Sequence, residues 1–135
     1  MQRFGGPAGY VGPEIDDREL FERLPSALRS LLSRRNGFVS RSGALHLRGA
    51  CLEPLWHALR PVWLGEGALH RRHPALRASD VPIAEGRNGD QFVLRDHAVL
   101  RLRAQTGELD DLQLRLGGFV RLAESDPLDQ LGVAR

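Results

Sequence analysis

The sequence contains no lysine, only one cysteine (Cys51) and no long run of apolar residues. A single cysteine excludes an internal disulfide framework and any metal cage that needs several cysteines. No apolar run approaches the roughly 18 residues that a membrane-spanning helix requires. The first residues also lack the apolar core of a signal peptide. We therefore expect a cytoplasmic protein that has no membrane partner.

All nineteen basic residues are arginines, and they stand against 17 acidic residues. Their distribution is uneven: residues 1–40 carry a net charge of +1, residues 41–79 carry +4 and residues 80–135 carry −3. Such an asymmetry can orient a charged partner. Nucleic-acid binding would need basic side chains interleaved with stacking aromatics, or a reading helix. Neither pattern is present, so we expect no nucleic-acid partner.

A length of 135 residues, with 41% hydrophobic and 27% charged residues, is typical of one globular domain. We expect residues 1–135 to form that single domain. Residues 1–14 are rich in glycine and proline, which predicts an extended N-terminal arm. Residues 124–135 are expected to be a loose tail.

The first half of the chain contains two helical patterns. Asp16 and Glu19 have the spacing of a capping box, which predicts a short helix over 17–24. Pro25 ends it and can open a second helix, whose leucines at 28, 31 and 32 share one face. Asn36-Gly37 is expected to end that second helix.

The spacing of the apolar residues changes in the middle of the chain. Residues 44–48 alternate apolar and polar, which predicts a strand that buries Leu45 and Leu47. A kinked helical stretch is expected after Glu53-Pro54, with Trp56 and Trp63 two turns apart as core anchors.

From residue 80 the pattern is that of a sheet. Residues 81–84 predict one strand, and residues 91–94 and 98–102 predict a hairpin. Placing Phe92, Leu94, Leu100 and Leu102 on one buried face leaves a three-residue loop at 95–97. His97 would then hold the positive φ at the end of that loop. The opposite face would carry Val93, Val99, Arg101 and Arg103 and would be at least half solvated.

The last third is expected to end in a covering helix. A turn at 105–108 is followed by Asp110 or Asp111, either of which can cap a helix. That helix would carry Leu112, Leu116, Phe119 and Ala123 on one stripe. Helices, then a mainly antiparallel meander, then a helix predict an α+β fold.

No catalytic or metal-binding set is apparent in the sequence. His70 and His73 have helical metal-ligand spacing, but the arginines between them would repel a cation. Cys51 would need a histidine base beside it to act as a nucleophile. The acids Asp80, Glu85 and Asp90 flank strands and a glycine turn, where acids commonly satisfy turn amides. We expect no enzyme activity, no metal and no cofactor, and a pocket joining Asp80, Glu85 and a histidine would argue otherwise.

Several segments resemble the SUKH superfamily, which unites fungal cell-wall-synthesis regulators with bacterial immunity proteins. The resemblance begins at Leu24-Pro25-Ser26-Ala27-Leu28 and continues through Leu31-Leu32 to Asn36-Gly37. It is strongest at 80–85 and at Asn88-Gly89-Asp90-Gln91-Phe92-Val93-Leu94, and it closes at Thr106-Gly107-Glu108. His97 stands where members of the family usually have glycine. In all, the resemblance spans roughly residues 20–123.

This resemblance implies a curved, mainly antiparallel sheet with N-terminal and C-terminal helices packed around it. It also implies a non-enzymatic protein-binding domain, and in bacterial members an immunity protein that binds and neutralises a cognate toxin. A housekeeping regulator or scaffold without a toxin partner is the alternative. The gene neighbourhood distinguishes the two, because an immunity gene lies beside its toxin gene.

Two sets of residues follow from this interpretation. The candidate partner-binding residues are the arginines of the basic middle and of the hairpin: Arg41, Arg48, Arg71, Arg72, Arg101 and Arg103. The residues expected to determine the fold are Gly37, Trp56, Trp63, Gly89, Asp90 and Phe92. Inhibition of the partner would be steric and electrostatic.

Overall fold

The computed structural model describes residues 4–125. Within these residues six strands form one open antiparallel sheet in the order β1-β2-β3-β4-β5-β6, and four helices accompany it, so the predicted α+β class is confirmed. The strands are β1 (Phe38–Val39), β2 (Leu45–Leu47), β3 (Val81–Gly86), β4 (Gln91–Arg95), β5 (Ala98–Leu102) and β6 (Leu109–Arg115). The helices are α1 (Arg18–Arg23), α2 (Ser26–Arg34), α3 (Arg60–Trp63) and α4 (Leu116–Ser125).

Helix α1 begins one residue later than the capping-box pattern predicts. The cap is Asp17, whose Oδ1 accepts a hydrogen bond from the backbone N–H of Leu20 at 3.3 Å. Asp17 is buried, and Arg60 of α3 binds both of its carboxylate oxygens, at 2.7 and 2.9 Å. The carboxylate of Asp16 instead accepts from the N–H of Leu52. Asp17 is therefore both a helix cap and the link between α1 and α3.

Helix α2 follows Pro25, as predicted, and buries Leu28 and Leu32. It ends at Arg34, before Asn36-Gly37, because Arg35 is already extended. Gly37 has φ +80°, and a Cβ there would lie 2.5 Å from the carbonyl oxygen of Leu47. Its role is thus to let the chain approach β2, which differs from the predicted helix ending.

One face of the sheet carries the larger hydrophobic core. Helices α1, α2 and α4 and residues from β1 to β5 together bury this cluster. Phe92 of β4 and Phe119 of α4 are completely buried, with ring centroids 5.1 Å apart. Trp63 belongs to this core, and its indole N–H donates to the carbonyl of Ala78. Burial of this apolar surface is the main stabilising contribution to the fold.

The opposite face of the sheet has two covers. Over β4 and β5, Leu69 and Leu76 pack on Val93, Leu100 and Leu102. Over β1 and β2 lies the N-terminal arm, which is hydrogen bonded to β1 through Gly9 and Tyr10 and to the preceding Gly37 through Gly12. Val11 forms an isolated antiparallel bridge with Phe38. The described part of the arm is therefore a packed extension of the sheet.

Pro82 lies in β3, between two neighbouring strands, a position where proline cannot donate a ladder hydrogen bond. The pairing with β4 shifts between Val81 and Ala84, which removes the need for that donor. The carbonyl of Pro82 accepts a bond of 2.7 Å from the guanidinium of Arg48. The irregularity thus provides an acceptor for a buried arginine.

The hairpin register differs from the predicted one by a single residue. Leu94 pairs with Val99 and Phe92 with Arg101, so the loop has two residues, Asp96 and His97. A shift of one residue moves every side chain of a strand to the other face. Leu100 and Leu102 therefore pack in the second cluster rather than beside Phe92. The predicted half-solvated face is wrong, because both faces of the hairpin are covered.

The helix predicted from Asp110 or Asp111 is wrong in its first half. Residues 109–115 form β6, with a register shift opposite Val99 and Leu100 that leaves Leu112 and Gln113 unpaired. Gln113 has φ +61°, and its N–H is bound by the Asp111 carboxylate. The helix starts at Leu116 and buries Phe119 and Ala123, as predicted.

The kinked helical stretch predicted after Glu53-Pro54 is broken into short pieces. These are a 3₁₀ turn over Leu55–His57, α3, and a second 3₁₀ turn over Leu69–Arg71. Of the predicted tail, Glu124 and Ser125 end α4, and 126–135 lie outside the described residues.

Candidate functional site

A buried polar chain begins at His46, in the middle of β2. Leu45 and Leu47 point to the helical core, so His46 points to the opposite face, where it is fully buried. Its direct cross-strand partner on β3 is Glu85. His46 Nδ1 lies 2.9 Å from Glu85 Oε2. The β2–β3 register thus places an imidazole against a carboxylate.

The chain continues through a second buried histidine, His57, at the end of the first 3₁₀ turn. His57 Nδ1 lies 2.8 Å from His46 Nε2. His57 Nε2 lies 2.8 Å from the backbone carbonyl oxygen of Asn36. Four residues from four segments are therefore joined by three short contacts.

Asn36 anchors the far end of this chain. Its side-chain oxygen accepts from the N–H of Ala50 at 2.7 Å. Its amide nitrogen donates to the carbonyl oxygens of Pro13 and Ala50, at 3.0 and 3.3 Å. Buried backbone groups in irregular segments need such partners. Asn36 therefore ties the N-terminal arm to the segment that precedes the first 3₁₀ turn.

Three glycines leave space for the contact between His57 and Asn36. A Cβ at Gly12 would lie 1.9 Å from the Asn36 carbonyl oxygen, and one at Gly49 would lie 2.4 Å from it. A Cβ at Gly37 would lie 2.7 Å from the His57 ring. All three distances are too short for a side chain. Glycines in three different segments therefore keep this space free of side chains.

Aromatic side chains cover the two histidines. The Trp56 ring lies 5.1 Å from the ring of His46 and 5.4 Å from that of His57. Phe4 packs on His46, and Tyr10 meets His57 edge-on at 5.1 Å. Trp56 rests on Gly5 and Gly6, since a Cβ at Gly6 would overlap its ring. The predicted core anchor Trp56 is thus a half-buried cover for polar side chains.

Burial sets the charge state of these rings. The pKa of His57 is lowered to about 4, mainly by burial and also by the charges of His46 and Arg48, against the hydrogen bond to Asn36. Burial also lowers the pKa of His46, against the hydrogen bond and charge of Glu85. His57 is therefore neutral at neutral pH. Because its Nε2 faces a carbonyl, Nε2 carries the proton and Nδ1 accepts from His46.

An apolar surface with acidic neighbours lies outside this cover. In the described part of the chain the exposed large hydrophobic residues are Val11, Leu52 and Leu55, which are 58%, 55% and 69% exposed. They lie on two adjacent segments, because the Tyr10 ring packs at a tilt against the Trp56 ring, 4.7 Å away, and the Asp16 carboxylate accepts from the N–H of Leu52. We call this apolar surface, together with its exposed acids Glu14, Asp16 and Glu53, the Leu55 surface.

The predicted partner-binding arginines are not brought together on one surface. Arg41, in the β1–β2 turn, is exposed, as are Arg71 and Arg72 in the segment over β4 and β5. Arg101 is half-buried, and Asp110 binds both it and Arg103.

The burial of Arg48 contradicts its predicted role as a partner-binding residue. Arg48 is 5% exposed, and its guanidinium binds the Pro82 carbonyl, the Gln91 side chain and Glu85. Its position at the end of β2 aims the side chain between strands instead of at solvent.

The three acids considered for catalysis are separated. Asp80 is buried against Arg95, which binds both of its carboxylate oxygens, at 2.9 and 2.7 Å. Asp90 accepts from the N–H of Ala104 and lies beside Gly89, whose φ of +95° forms the turn. Glu85 does meet a histidine, but Asp80 lies at the other end of β3.

The remaining reactive residues are not assembled into a site. Cys51 is buried, and its pKa is raised to about 11 by burial and by Asp16 and Asp17, so its thiol is protonated at neutral pH. Within residues 4–125 no group of three His, Cys, Asp or Glu side chains could hold a metal ion. Over the same residues, no helix is both long and apolar enough to cross a bilayer.

The buried histidine chain was missed by sequence reasoning. His46 was assigned to the polar side of a strand, and its partners are 11 and 39 residues away. The one sequence signal is the number of glycines in the segments around His57, at positions 12, 37 and 49.

No protein-family model, no curated protein and no solved structure matches this chain.

Proposed function

We propose that this chain is a protein-binding domain of the SUKH type that acts as an immunity protein, binding a cognate toxin domain and neutralising it. The observation that carries the proposal is the Leu55 surface. Three large aliphatic side chains, each more than half exposed, lie on two segments that are held by a buried hydrogen bond from Ala50 to Asn36 and an exposed one from Leu52 to Asp16. Contiguous exposed apolar side chains with a polar rim are typical of protein interaction sites.

The rigidity of the surface supports this function. The segments that carry Val11 and Leu55 are fixed by Asn36, by the histidine chain and by the aromatic cover. A surface that is already ordered loses little conformational entropy on binding. Leu52 and Leu55 can therefore act as anchors that insert into a partner's apolar pocket.

Charge favours a basic partner surface. Glu14, Asp16 and Glu53 are exposed on the same segments as the apolar residues, whereas Arg101 and Arg103 share the single carboxylate of Asp110. Opposite charges around an apolar centre steer association and select the partner. The contact surface we propose therefore presents acidic side chains around Leu52 and Leu55, while Arg18, Arg34 and Arg35 line the groove beside Val11 and Glu14. It replaces the arginine set predicted from the sequence.

Co-expression with the product of the adjacent gene tests the proposal. The two proteins should co-elute in size-exclusion chromatography at micromolar concentration. Leu52→Asp combined with Leu55→Asp should abolish the complex and the neutralisation. Ala27→Asp adds one of these charges at an exposed position in α2 and should leave both unchanged.

Circular dichroism and thermal unfolding must show that each variant is folded. Absence of a complex between the unmodified proteins would contradict the toxin assignment. A complex that survives the double substitution would contradict the assignment of the surface.

A further inference from the structure

The hydrogen-bonded groups that link Glu85 to Asn36 through His46 and His57 require a fixed number of protons. The two ends of this chain, the Glu85 carboxylate and the Asn36 carbonyl, are both acceptors. Three contacts of 2.8–2.9 Å join them through two imidazoles, and each contact needs one proton between its atoms. Two neutral imidazoles carry only two N–H groups. The intact chain therefore holds one proton more than two neutral histidines and a carboxylate.

The extra proton belongs to the contact between His46 and Glu85. His57 donates to Asn36 and accepts from His46, so neither of its contacts has room for another proton. Burial disfavours a charge on His46, while Arg48 lies 3.5 Å from Glu85 Oε1 and favours the carboxylate. Both effects disfavour the extra proton, which makes it the first proton that the chain of contacts loses as the pH rises.

We propose that Glu85, His46, His57 and the Asn36 carbonyl form a proton-dependent latch that holds the N-terminal arm and the 3₁₀ turn at Leu55–His57 against the sheet. The latch is closed with three protons and opens when it loses or gains one. This inference does not depend on the identity of any partner, although the latch lies directly beneath the Leu55 surface.

Loss of a proton at alkaline pH opens the latch at its Glu85 end. With two protons left, one of the three contacts brings two acceptors face to face at less than 3 Å, which is repulsive in a buried site. The ring of His46 must then turn or move, and Phe4 and Trp56 rest on that ring.

A gain of one proton at acid pH opens the latch at its centre. With four protons, two N–H groups face each other across one contact. Protonation of His57 affects its contact with His46. Because the pKa of His57 is lowered to about 4, this protonation occurs near pH 4. The turn at Leu55–His57 then separates from β2.

Other titratable groups face the latch from the elements around it. Arg48 directly follows β2, Tyr10 lies in the arm and Cys51 lies in the segment before the turn. The pKa values of Tyr10 and Cys51 are raised, the latter to about 11, so neither titrates below pH 9. Neither of these two groups therefore accounts for a change in stability between pH 7 and 9.

Glu85→Gln is the decisive variant. The glutamine amide donates a hydrogen bond to His46 Nδ1 without needing an extra proton, and its oxygen still faces Arg48. The stability of the variant should still fall at acid pH, but it should no longer fall at alkaline pH. Glu66→Gln, at an exposed position, removes the same charge elsewhere and should behave as the unmodified protein.

Amide hydrogen exchange at Gly9 and Gly12, whose N–H groups bind β1 and Gly37, reports opening of the arm. After correction for intrinsic rates, their opening constant should rise about tenfold per pH unit above the pKa of the latch, since one proton is released. In Glu85→Gln it should stay constant from pH 7 to 9. An equal rise in both proteins would overturn the proposal.

Nitrogen-15 NMR of the unmodified protein gives a second test that needs no variant. At pH 5.5, between the acid and the alkaline opening of the latch, His57 should be the neutral tautomer protonated at Nε2, and His46 should share a proton with Glu85 at Nδ1. Two ordinary neutral imidazoles beside an ionised Glu85 would amount to only two protons and would refute the latch.

Discussion

The Nε2 atom of His57 lies 2.8 Å from the backbone carbonyl oxygen of Asn36, and both residues are buried. This contact joins the first 3₁₀ turn to the residues that follow α2. Since a carbonyl only accepts, it fixes which imidazole nitrogen carries the proton. The direction of the hydrogen bonds from Asn36 back to His46 follows from it.

Stability should fall as the pH drops from about 6.5 to 4. The pKa of His57 is about 4 in the folded protein, and an unfolded histidine has a pKa of about 6.5. The unfolded chain therefore binds a proton first, and each pH unit in this window favours unfolding. The loss should approach about 3 kcal/mol at pH 4, measured by urea denaturation. His97→Gln, at the exposed hairpin turn, should give the same pH profile. A flat profile above pH 4 would show that His57 is not buried in its neutral form.

Asn36→Ala should lower the free energy of unfolding by about 3 kcal/mol. The substitution leaves the N–H of Ala50 and the carbonyls of Pro13 and Ala50 without their side-chain partner. Chemical denaturation at pH 7 measures the loss. Gln105→Ala, in the exposed β5–β6 turn, provides the reference and should change stability by less than about 0.5 kcal/mol. Similar losses in the two variants would contradict the anchoring role of Asn36.

Gly49→Ala should destabilise the protein by about 2–3 kcal/mol, as overpacking of a filled site does. Its Cβ would lie 2.4 Å from the Asn36 carbonyl oxygen and 2.8 Å from His57 Nε2. Gly67→Ala is the matched control, because nothing lies within 4 Å of its Cβ and its φ is not positive. The control should be neutral or up to about 1 kcal/mol more stable. Comparison of the two melting temperatures checks the glycine argument, and an unchanged Gly49→Ala would refute it.

The hairpin turn gives a prediction opposite to the one suggested by the sequence. The positive φ, 55°, belongs to Asp96, so the assignment of strain to His97 is wrong. Asp96→Gly should stabilise the protein by some tenths of a kcal/mol to about 1 kcal/mol. His97→Gly should destabilise it by a similar amount, because it only adds freedom to the unfolded chain. If thermal unfolding shows that His97→Gly is the more stable of the two, the two-residue loop is incorrect.

The spacing of apolar residues and the turn residues predicted those helices and strands that depend on interactions between near neighbours in the sequence. Helix α2 follows from its leucine spacing and Pro25, and strands β2 to β5 follow from alternation and turns. The hairpin register could not be derived, because the sequence argument assumed one buried face and both are buried. Residues 109–115 were predicted to be helical because Leu112 has helical spacing to Leu116 of α4, and the register shift at Leu112 and Gln113 interrupts the alternation expected of a strand.

The candidate site was less predictable than the fold. Each of its polar contacts joins residues that are 11 to 39 positions apart in the chain. Periodicity gives no sign of such contacts, since His46 has the position of a solvent-facing residue between two buried leucines. The exposure of Leu52 and Leu55 likewise depends on how the chain turns after Ala50, where the buried Asn36 holds the backbone.

Mapping of the contact surface tests the central claim most directly. The nitrogen-15-labelled chain is titrated with the product of the adjacent gene, and amide shifts are followed by NMR. The account predicts that the largest changes fall at 11–16 and 51–56, around the Leu55 surface. Changes centred on Arg71, Arg72 and Arg103 instead, or no changes at micromolar concentrations, would contradict it.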